Sequence, residues 1–193
     1  LLKAAYSFNE HTNRNFSLVL MLLTTATRIG EIIKLTTDDI ELDHSLIYAD
    51  EKSGRRRRLF TPGLRDSVEV LINDPLRLQR LGNNQKYIFY SDKGGRLKEK
   101  EANSLLKAIA KEAGIDNNIS SYWLRRSYAT ILVNSGFSMR EIQSLFDHDK
   151  IKSTETYVLE LQRKELRTVV NQSSVVMMLE NLIRKQFSSI NKE

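Results

Sequence analysis

The sequence predicts a mainly α-helical domain of the α+β class, with one small antiparallel β-sheet. Apolar residues recur at the spacing of amphipathic helices along most of the 193 residues. Short runs separated by turn residues, the pattern of strands, are confined to residues 38–62. The chain has two prolines and no internal repeat, so no internal domain boundary is visible. We expect one domain at residues 1–170, followed by a helical tail at residues 171–193.

The first half of the chain is predicted to alternate between helix and sheet. The opening LLKAAYSF is an amphipathic helix with no cap before it, so we expect that residue 1 is not a natural beginning. Residues 16–24 form an apolar helical run, and Thr25 or Thr27 can cap a following helix in TTATRIGEIIKL. Two or three short strands follow in residues 38–62, with Lys-Ser-Gly near a hairpin tip.

The second half is predicted to be helical again. Each segment has an apolar face, and most are bounded by a capping serine or a terminal glycine. The predicted helices are residues 64–81, 98–113, 121–135 and 139–146, and a last helical stretch reaches residue 187.

The composition narrows the classes of function. Lys and Arg number 30 against 24 Asp and Glu, and the formal net charge of +6 permits a nucleic-acid partner without requiring one. The absence of cysteine excludes a disulfide framework, cysteine zinc sites and thiol nucleophiles, and the three histidines lack metal-ligand spacing. The longest apolar run, residues 18–23, is too short to span a bilayer, so we expect a soluble intracellular protein.

The segment SYWLRRSYAT places two adjacent arginines among aromatic and small apolar residues. On a helical wheel, Arg125 lies at the edge of the apolar face that begins with Leu124, whereas Arg126 points away from that face. A guanidinium at the margin of a core needs an anion or several acceptors. A structural salt bridge and a bound anionic ligand both meet that need for Arg125, and Arg126 can simply be solvated.

Two further segments combine a charged or polar residue with a helix boundary. TATRIGEIIKL contains Arg28, and LFDHDKIKSTETYV contains His148 and, nine residues later, Tyr157. In this order and at these separations, the three segments resemble the first arginine box, the H-x-L-R box and the histidine-tyrosine box of the tyrosine recombinase (phage integrase) family. The resemblance covers nearly the whole chain and implies the catalytic-domain fold of that family, which is mainly helical with a small antiparallel sheet.

The resemblance implies a site-specific DNA recombinase or integrase from a phage or another mobile element. Such an enzyme cleaves and rejoins DNA through a covalent 3′-phosphotyrosyl intermediate and needs no cofactor. The implied partners are double-stranded DNA, other copies of the chain in a tetramer on that DNA, and accessory DNA-bending proteins, in the cytoplasm of a bacterial or archaeal cell. Two alternatives share these boxes: a type IB topoisomerase, and a DNA-binding relic of the family without catalysis.

Position by position, the resemblance assigns a catalytic set. Arg28 and Arg125 match the arginines that hold the non-bridging oxygens of the scissile phosphate, a role that suits planar, permanently protonated groups. Lys52, in the predicted hairpin, matches the lysine that protonates the departing 5′ oxygen, and the alternative is an ordinary exposed lysine. Tyr157 matches the nucleophile, and His148 matches a histidine that binds the phosphate or orients the nucleophile.

Four positions depart from the family pattern. Tyr122 stands where histidine is most frequent; a neutral tyrosine can hydrogen-bond a phosphate but is a poor general base, so water or His148 is the alternative proton acceptor. The other departures are Ala26 and Asp147 in place of glycine and Arg126 in place of histidine. Asp147 adds a negative charge beside the expected phosphate site, which motivates the relic alternative.

Other residues are assigned supporting or DNA-binding roles. Glu31 matches the acidic residue that follows the first arginine and is expected to brace the site. The run GRRRRLF is expected to contact DNA phosphates in binding that weakens as salt rises, and a solvated charged strand is the alternative. The predicted phosphate contacts are Arg55, Arg56, Arg57, Arg58 and Arg126.

The resemblance also bears on the two ends of the chain. The N-terminal DNA-binding domain of the family is expected to be absent, and strong autonomous site recognition is therefore not expected. The tail has an apolar stripe that includes Val175, Leu179 and Ile183. This stripe suits docking on a neighbouring protomer or packing on its own domain.

Overall fold

The computed structural model describes residues 1–44, 46–51, 54–115 and 119–146. Helices dominate these residues and one small antiparallel sheet accompanies them, which confirms the predicted fold class. The helices are α1 (Leu2–Ser7), α2 (Thr12–Thr24), α3 (Ile29–Ile32), α4 (Pro62–Ile72), α5 (Pro75–Leu81), α6 (Glu99–Glu112), α7 (Ser121–Asn134) and α8 (Met139–Phe146), and the strands are β1 (Ile40–Glu41), β2 (Leu46–Glu51) and β3 (Gly54–Leu59). The predicted helical tail at residues 171–193 lies outside the described residues.

Helix α2 forms the centre of the first of two compact units, residues 1–125. Every residue from Arg14 to Leu22 is buried. Phe16 and residues 18–22 are apolar, and the polar Arg14, Asn15 and Ser17 are buried with hydrogen-bond partners. Helices α1 and α4 pack against α2. The helix that leads to Arg28 is therefore anchored along most of its length.

The predicted single helix over residues 64–81 is wrong, because the chain forms α4 and α5 with a break between them. Pro75 has no N–H to continue the helix, and it occupies the first turn of α5. The side chain of Asp74 caps α5 by accepting a hydrogen bond from the Leu76 N–H at 2.8 Å. The apolar periodicity continues across this break, which is why the pattern suggested one helix.

The sheet has the order β1-β2-β3, with antiparallel neighbours. Strand β2 pairs with β3 so that Ile47 lies opposite Arg58 and Ala49 lies opposite Arg56. Ile47 and Ala49 are buried, so one face of the sheet is packed. The structure confirms the predicted β region, and the predicted hairpin lysine, Lys52, lies outside the described residues.

The second compact unit comprises residues 126–193, of which residues 126–146 are described. The Tyr128 ring of α7 stacks on Phe146 of α8 with the ring centroids 5.8 Å apart. Burial raises the pKa of the Tyr128 hydroxyl, which therefore stays protonated. Ser138 caps α8 as predicted, since its Oγ accepts a hydrogen bond from the Glu141 N–H. None of the helices in the described ranges has the length and apolar character needed to cross a membrane.

Arg77 of α5 is a buried cation that the sequence analysis did not single out. Its guanidinium donates hydrogen bonds to backbone carbonyls that precede and follow α5 in the chain. The acceptors are the carbonyl oxygens of Ile72, Gln85, Tyr87 and Ile88. One side chain thus satisfies carbonyl groups that would otherwise be buried without donors.

A second polar cluster ties α2 to the chain after α5, and we call its members His11, Arg14, Tyr90 and Asp92 the His11 cluster. His11 is buried, with Nδ1 3.2 Å from the Tyr90 hydroxyl and Nε2 3.2 Å from Asp92 Oδ1. Arg14 donates to Asp92 and to the Tyr90 carbonyl. Burial raises the pKa of Tyr90 to about 12, so its hydroxyl remains a donor to a neutral His11 ring.

The free energy of unfolding is expected to fall as the pH drops below about 6.5, the pKa of histidine in an unfolded chain. Burial lowers the pKa of His11 in the folded protein, and the positive charge of Arg14 lowers it further. Below about pH 6.5 the unfolded chain binds a proton at His11 that the folded protein does not bind. The contribution of His11 to the free energy of unfolding is therefore present above about pH 6.5 and is lost as the pH falls. Urea unfolding between pH 5 and 8 measures the effect, which is about 1.4 kcal/mol for each unit by which the pKa is depressed.

The His11→Gln variant should lose this part of the pH dependence. His44→Gln is the matched control, because the His44 side chain is mostly exposed beside Glu41. An equal flattening of the pH dependence in both variants would show that His11 is not its source.

Candidate functional site

Arg28 lies at the start of α3, where the chain leaves α2. Arg28 has extended backbone angles, φ −73° and ψ 147°, and is itself the residue that precedes the helix. The predicted cap at Thr25 or Thr27 is therefore wrong, because the helix is a single turn that begins later. The Arg28 backbone N–H donates a hydrogen bond to Glu31 Oε2 at 2.9 Å. This bond takes the place of the side-chain hydrogen bond that usually caps a helix.

Glu31 holds both the backbone and the side chain of Arg28. While Oε2 accepts the backbone bond, Oε1 lies 3.0 Å from Arg28 Nη1. The Glu31 side chain is buried, whereas the Arg28 side chain is 48% exposed. A buried carboxylate thus holds the guanidinium of a side chain that is about half exposed. The bracing role of Glu31 in a catalytic site stays a prediction.

The turn before Arg28 contains a backbone conformation that is rare for a residue with a side chain. Ala26 has φ 58°, in the left-handed region, and its side chain is buried. This conformation gives a physical reason for glycine at the matching position of the family. In the sequence, Ala26 stands out only as a departure from the family pattern, because its left-handed backbone angle has no sequence signal of its own.

Arg125 and Arg126 differ in burial as predicted for α7. Arg125 is 4% exposed, whereas Arg126 is partly exposed on the neighbouring position of the helix. Leu124 and Ala129, on the same apolar side as Arg125, are also buried. The α7 helix is therefore packed on the side that bears Arg125.

Tyr122 lies in the first turn of α7 and is 57% exposed. Its neighbour Trp123 is also exposed, so two adjacent aromatic rings reach solvent at this end of the helix. The exposure of Tyr122 is compatible with a contact to a bound phosphate and gives no sign of a structural role in the core. The sequence analysis did not identify Trp123, because it occupies the variable position of the H-x-L-R box.

Strand β3 contains the four consecutive arginines at residues 55–58. Arg58 pairs with buried Ile47 and is 5% exposed. The DNA contact predicted for Arg58 stays a prediction. The backbone of Arg55, Arg56 and Arg57 is described as part of β3, and their predicted DNA contacts stay predictions.

Of the predicted site residues, Arg28 and Glu31 are joined by hydrogen bonds. Tyr122 and Arg125 both lie on α7. The other members of the predicted site, namely Lys52, His148 and Tyr157, lie outside the described residues, as does Asp147, the departure from the family pattern. Among the side chains that the structure describes, there is no group of three or more His, Asp and Glu residues placed to hold a metal ion.

A model of the phage integrase family matches residues 1–164 of the chain. The tyrosine recombinase XerD of Mycobacterium tuberculosis is 33% identical over 152 residues, which cover 77% of this chain and 48% of that protein. The chain therefore spans about half the length of this curated relative.

Solved structures show the same fold. The crystal structure of XerA recombinase matches with a TM-score of 0.73 at 21% identity, over 91% of this chain and 62% of that one. The Tn1549 transposon integrase in complex with a circular intermediate DNA matches with a TM-score of 0.68 at 16% identity, over 81% of this chain and 57% of that one.

Proposed function

This chain belongs to the phage integrase family, and we propose on that premise that it is a tyrosine recombinase that cleaves and rejoins DNA through a covalent 3′-phosphotyrosyl bond. The observation that carries the proposal is the extent of the family match. Residues 1–164 include the complete predicted catalytic set, from Arg28 to Tyr157.

In the proposed reaction, the Tyr157 phenol attacks the phosphorus of one DNA phosphodiester. A bond forms between the tyrosine oxygen and phosphorus, and the bond from phosphorus to the 5′ oxygen breaks. The leaving oxygen takes a proton from Lys52 and becomes a 5′ hydroxyl. A 5′ hydroxyl of the partner strand then attacks the phosphotyrosine, which restores the phosphodiester and releases the tyrosine.

The two arginines would stabilise the charge that develops on the non-bridging phosphate oxygens. Arg28 is suited to this because Glu31 holds its guanidinium and about half of the Arg28 side chain is exposed. Arg125 is suited because its helix holds it in a buried position. Charges that are already oriented before the reaction need little reorganisation as the transition state forms, and this is a major source of rate acceleration in enzymes.

The acceptor of the Tyr157 proton is expected to be water or His148. The exposed Tyr122 occupies the position where the family most often has histidine, and we assign it a hydrogen bond to the phosphate instead. A neutral phenol can donate such a bond but is a weak base.

We further propose that the substrate is a specific double-stranded DNA site of a mobile element and that four copies of the chain assemble on it in the cytoplasm. The transposon integrase of similar fold, which was solved on circular intermediate DNA, supports a DNA substrate. The formal net charge of +6 favours association with a polyanion. Arg126 and the arginine run at residues 55–58 are proposed to supply contacts to the DNA backbone.

Trapping of the covalent adduct tests the proposal. The chain is incubated at low salt with a library of random-sequence duplexes, each nicked so that cleavage releases a short fragment and prevents rejoining. Adducts that survive detergent are isolated, their DNA is sequenced, and digestion with mass spectrometry identifies the residue that holds the nucleotide. We expect a phosphotyrosine at Tyr157 and an enriched DNA sequence.

The other outcomes separate the alternatives. Adducts at Tyr157 without sequence enrichment, together with relaxation of supercoiled plasmid, would indicate a topoisomerase. Retention of the library without any adduct would indicate a DNA-binding relic. Either result would overturn the assignment as a recombinase.

A further inference from the structure

The backbone turn at Ala26 connects α2 to the arginine that begins α3. Among the described residues other than glycine, Ala26 is the one with a left-handed φ, 58°. A Cβ atom in this region crowds the following carbonyl oxygen, so an alanine does not hold the conformation by its own preference. The surroundings must maintain it.

Two threonine hydroxyls on either side of Ala26 provide this constraint. Thr25 Oγ1 and Thr27 Oγ1 are 2.9 Å apart and share a hydrogen bond, and Thr25 Oγ1 also accepts the Thr27 N–H at 3.3 Å. Both threonines are buried. Thr25 Oγ1 lies 2.8 Å from the Met21 carbonyl, which anchors the pair to the last turn of α2. The hydroxyl pair therefore closes the chain over Ala26.

The direction of the chain after this turn determines where Arg28 lies. Arg28 is two residues beyond Ala26 and has an extended backbone, and its N–H reaches Glu31 Oε2 at 2.9 Å. Its guanidinium reaches the other oxygen of the same carboxylate at 3.0 Å. A change in the φ angle of Ala26 would move the backbone of Arg28 relative to α2.

We propose that Thr25 and Thr27 are positioning residues for Arg28, since their shared hydroxyl bond keeps Ala26 left-handed and thereby directs the guanidinium toward the scissile phosphate. The inference rests on the proposed function, because the phosphate is the group that Arg28 would meet. It assigns the threonines no contact with DNA.

The test is a double-mutant cycle between positions 25 and 26. Thr25→Val keeps the shape of the side chain and removes the hydroxyl. In the otherwise natural chain it should lower the rate of adduct formation about 10- to 100-fold, as expected for a small displacement of a phosphate-binding group. In the Ala26→Gly background the same substitution should lower the rate of adduct formation by less than about threefold, because glycine adopts the left-handed conformation without the hydroxyl pair.

Thr24→Val is the matched control. The hydroxyl of Thr24 donates to the Leu20 carbonyl at 2.8 Å, just as the hydroxyl of Thr25 contacts the carbonyl four residues before it, but Thr24 does not bridge Ala26. This variant should react at the wild-type rate. A loss equal to that of Thr25→Val would show that the contact with the end of α2 matters and that the turn does not.

A substrate with an uncharged phosphate distinguishes positioning of Arg28 from general damage. When one non-bridging oxygen is replaced by a methyl group, the transition state carries less charge and depends less on the guanidinium. On this substrate Thr25→Val should recover to within about threefold of the unmutated chain, and its affinity for the DNA should be unchanged on both substrates. A loss on both substrates would assign Thr25 a purely structural role.

The same variants are compared by thermal unfolding, which needs no activity. The Thr25→Val substitution should lower the unfolding temperature less in the Ala26→Gly background than in the natural one. If the unmutated chain forms no adduct, the proposed function fails while this coupling can still be read. If the substitution has the same effect in both backgrounds, the positioning inference fails whatever the activity.

Discussion

Replacing Tyr157 by Phe is expected to abolish formation of the covalent adduct, with a loss of at least about 10⁴-fold in rate, as when other covalent nucleophiles are removed. The substitution removes a single oxygen, the atom proposed to bond to phosphorus. Binding to DNA should persist, because the arginines and the net positive charge remain. Detergent-resistant adduct measures the reaction, and fluorescence anisotropy with the selected duplex measures the binding.

Tyr122→Phe is the matched control for this experiment, since the same atom is removed from an exposed tyrosine of the predicted site. The loss of one hydrogen bond to the phosphate should lower the adduct rate about tenfold. Wild-type rates across pH in this variant would end the catalytic assignment of Tyr122. An adduct that survives Tyr157→Phe and disappears in Tyr122→Phe would overturn the assignment of the nucleophile.

Replacing Arg77 by Met is expected to lower the free energy of unfolding by about 3–5 kcal/mol. Arg77 is 1% exposed, and its guanidinium is the donor to backbone carbonyls of the segment after α5. Methionine fills much of the same space but donates no hydrogen bond, so several buried carbonyl oxygens would lose their partner. Urea unfolding at neutral pH measures the change.

Arg80→Met, on the same helix, is the control for Arg77. The Arg80 side chain is 35% exposed and contacts Glu10 and the Asp92 carbonyl. An exposed ion pair contributes little to stability, so this substitution is expected to lower the free energy of unfolding by less than about 1 kcal/mol. Equal losses in the two variants would mean that the buried carbonyl bonds do not account for the effect of Arg77.

Sequence patterns predicted those parts of the structure that depend on periodicity. The apolar spacing of the SYWLRRSYAT segment distinguished buried Arg125 from partly exposed Arg126, because burial on a helix follows its 3.6-residue repeat. The change to short runs with turn residues located the sheet. The match to the arginine box identified Arg28 and Glu31, which the structure joins.

Features that depend on distant contacts were not predicted. Arg77 follows a proline within an amphipathic segment and could equally have been a surface residue, because the carbonyls that it binds come from residues up to 11 positions away. The left-handed Ala26 is held by neighbours whose hydroxyl groups serve equally well as helix caps. The break before Pro75 had a local signal, which the continuing apolar pattern obscured.

The pairing of β2 with β3 limits how much the arginine run can contribute to the salt dependence of DNA binding. Successive residues of a strand face opposite sides, so the four positions of the run divide into two pairs. A DNA duplex that lies along one face would meet one pair and release about two counterions there, not four. If the proposed DNA contacts form, we therefore expect the run to make a modest contribution to the salt dependence of binding. A steeper dependence would have to come from cations elsewhere in the chain.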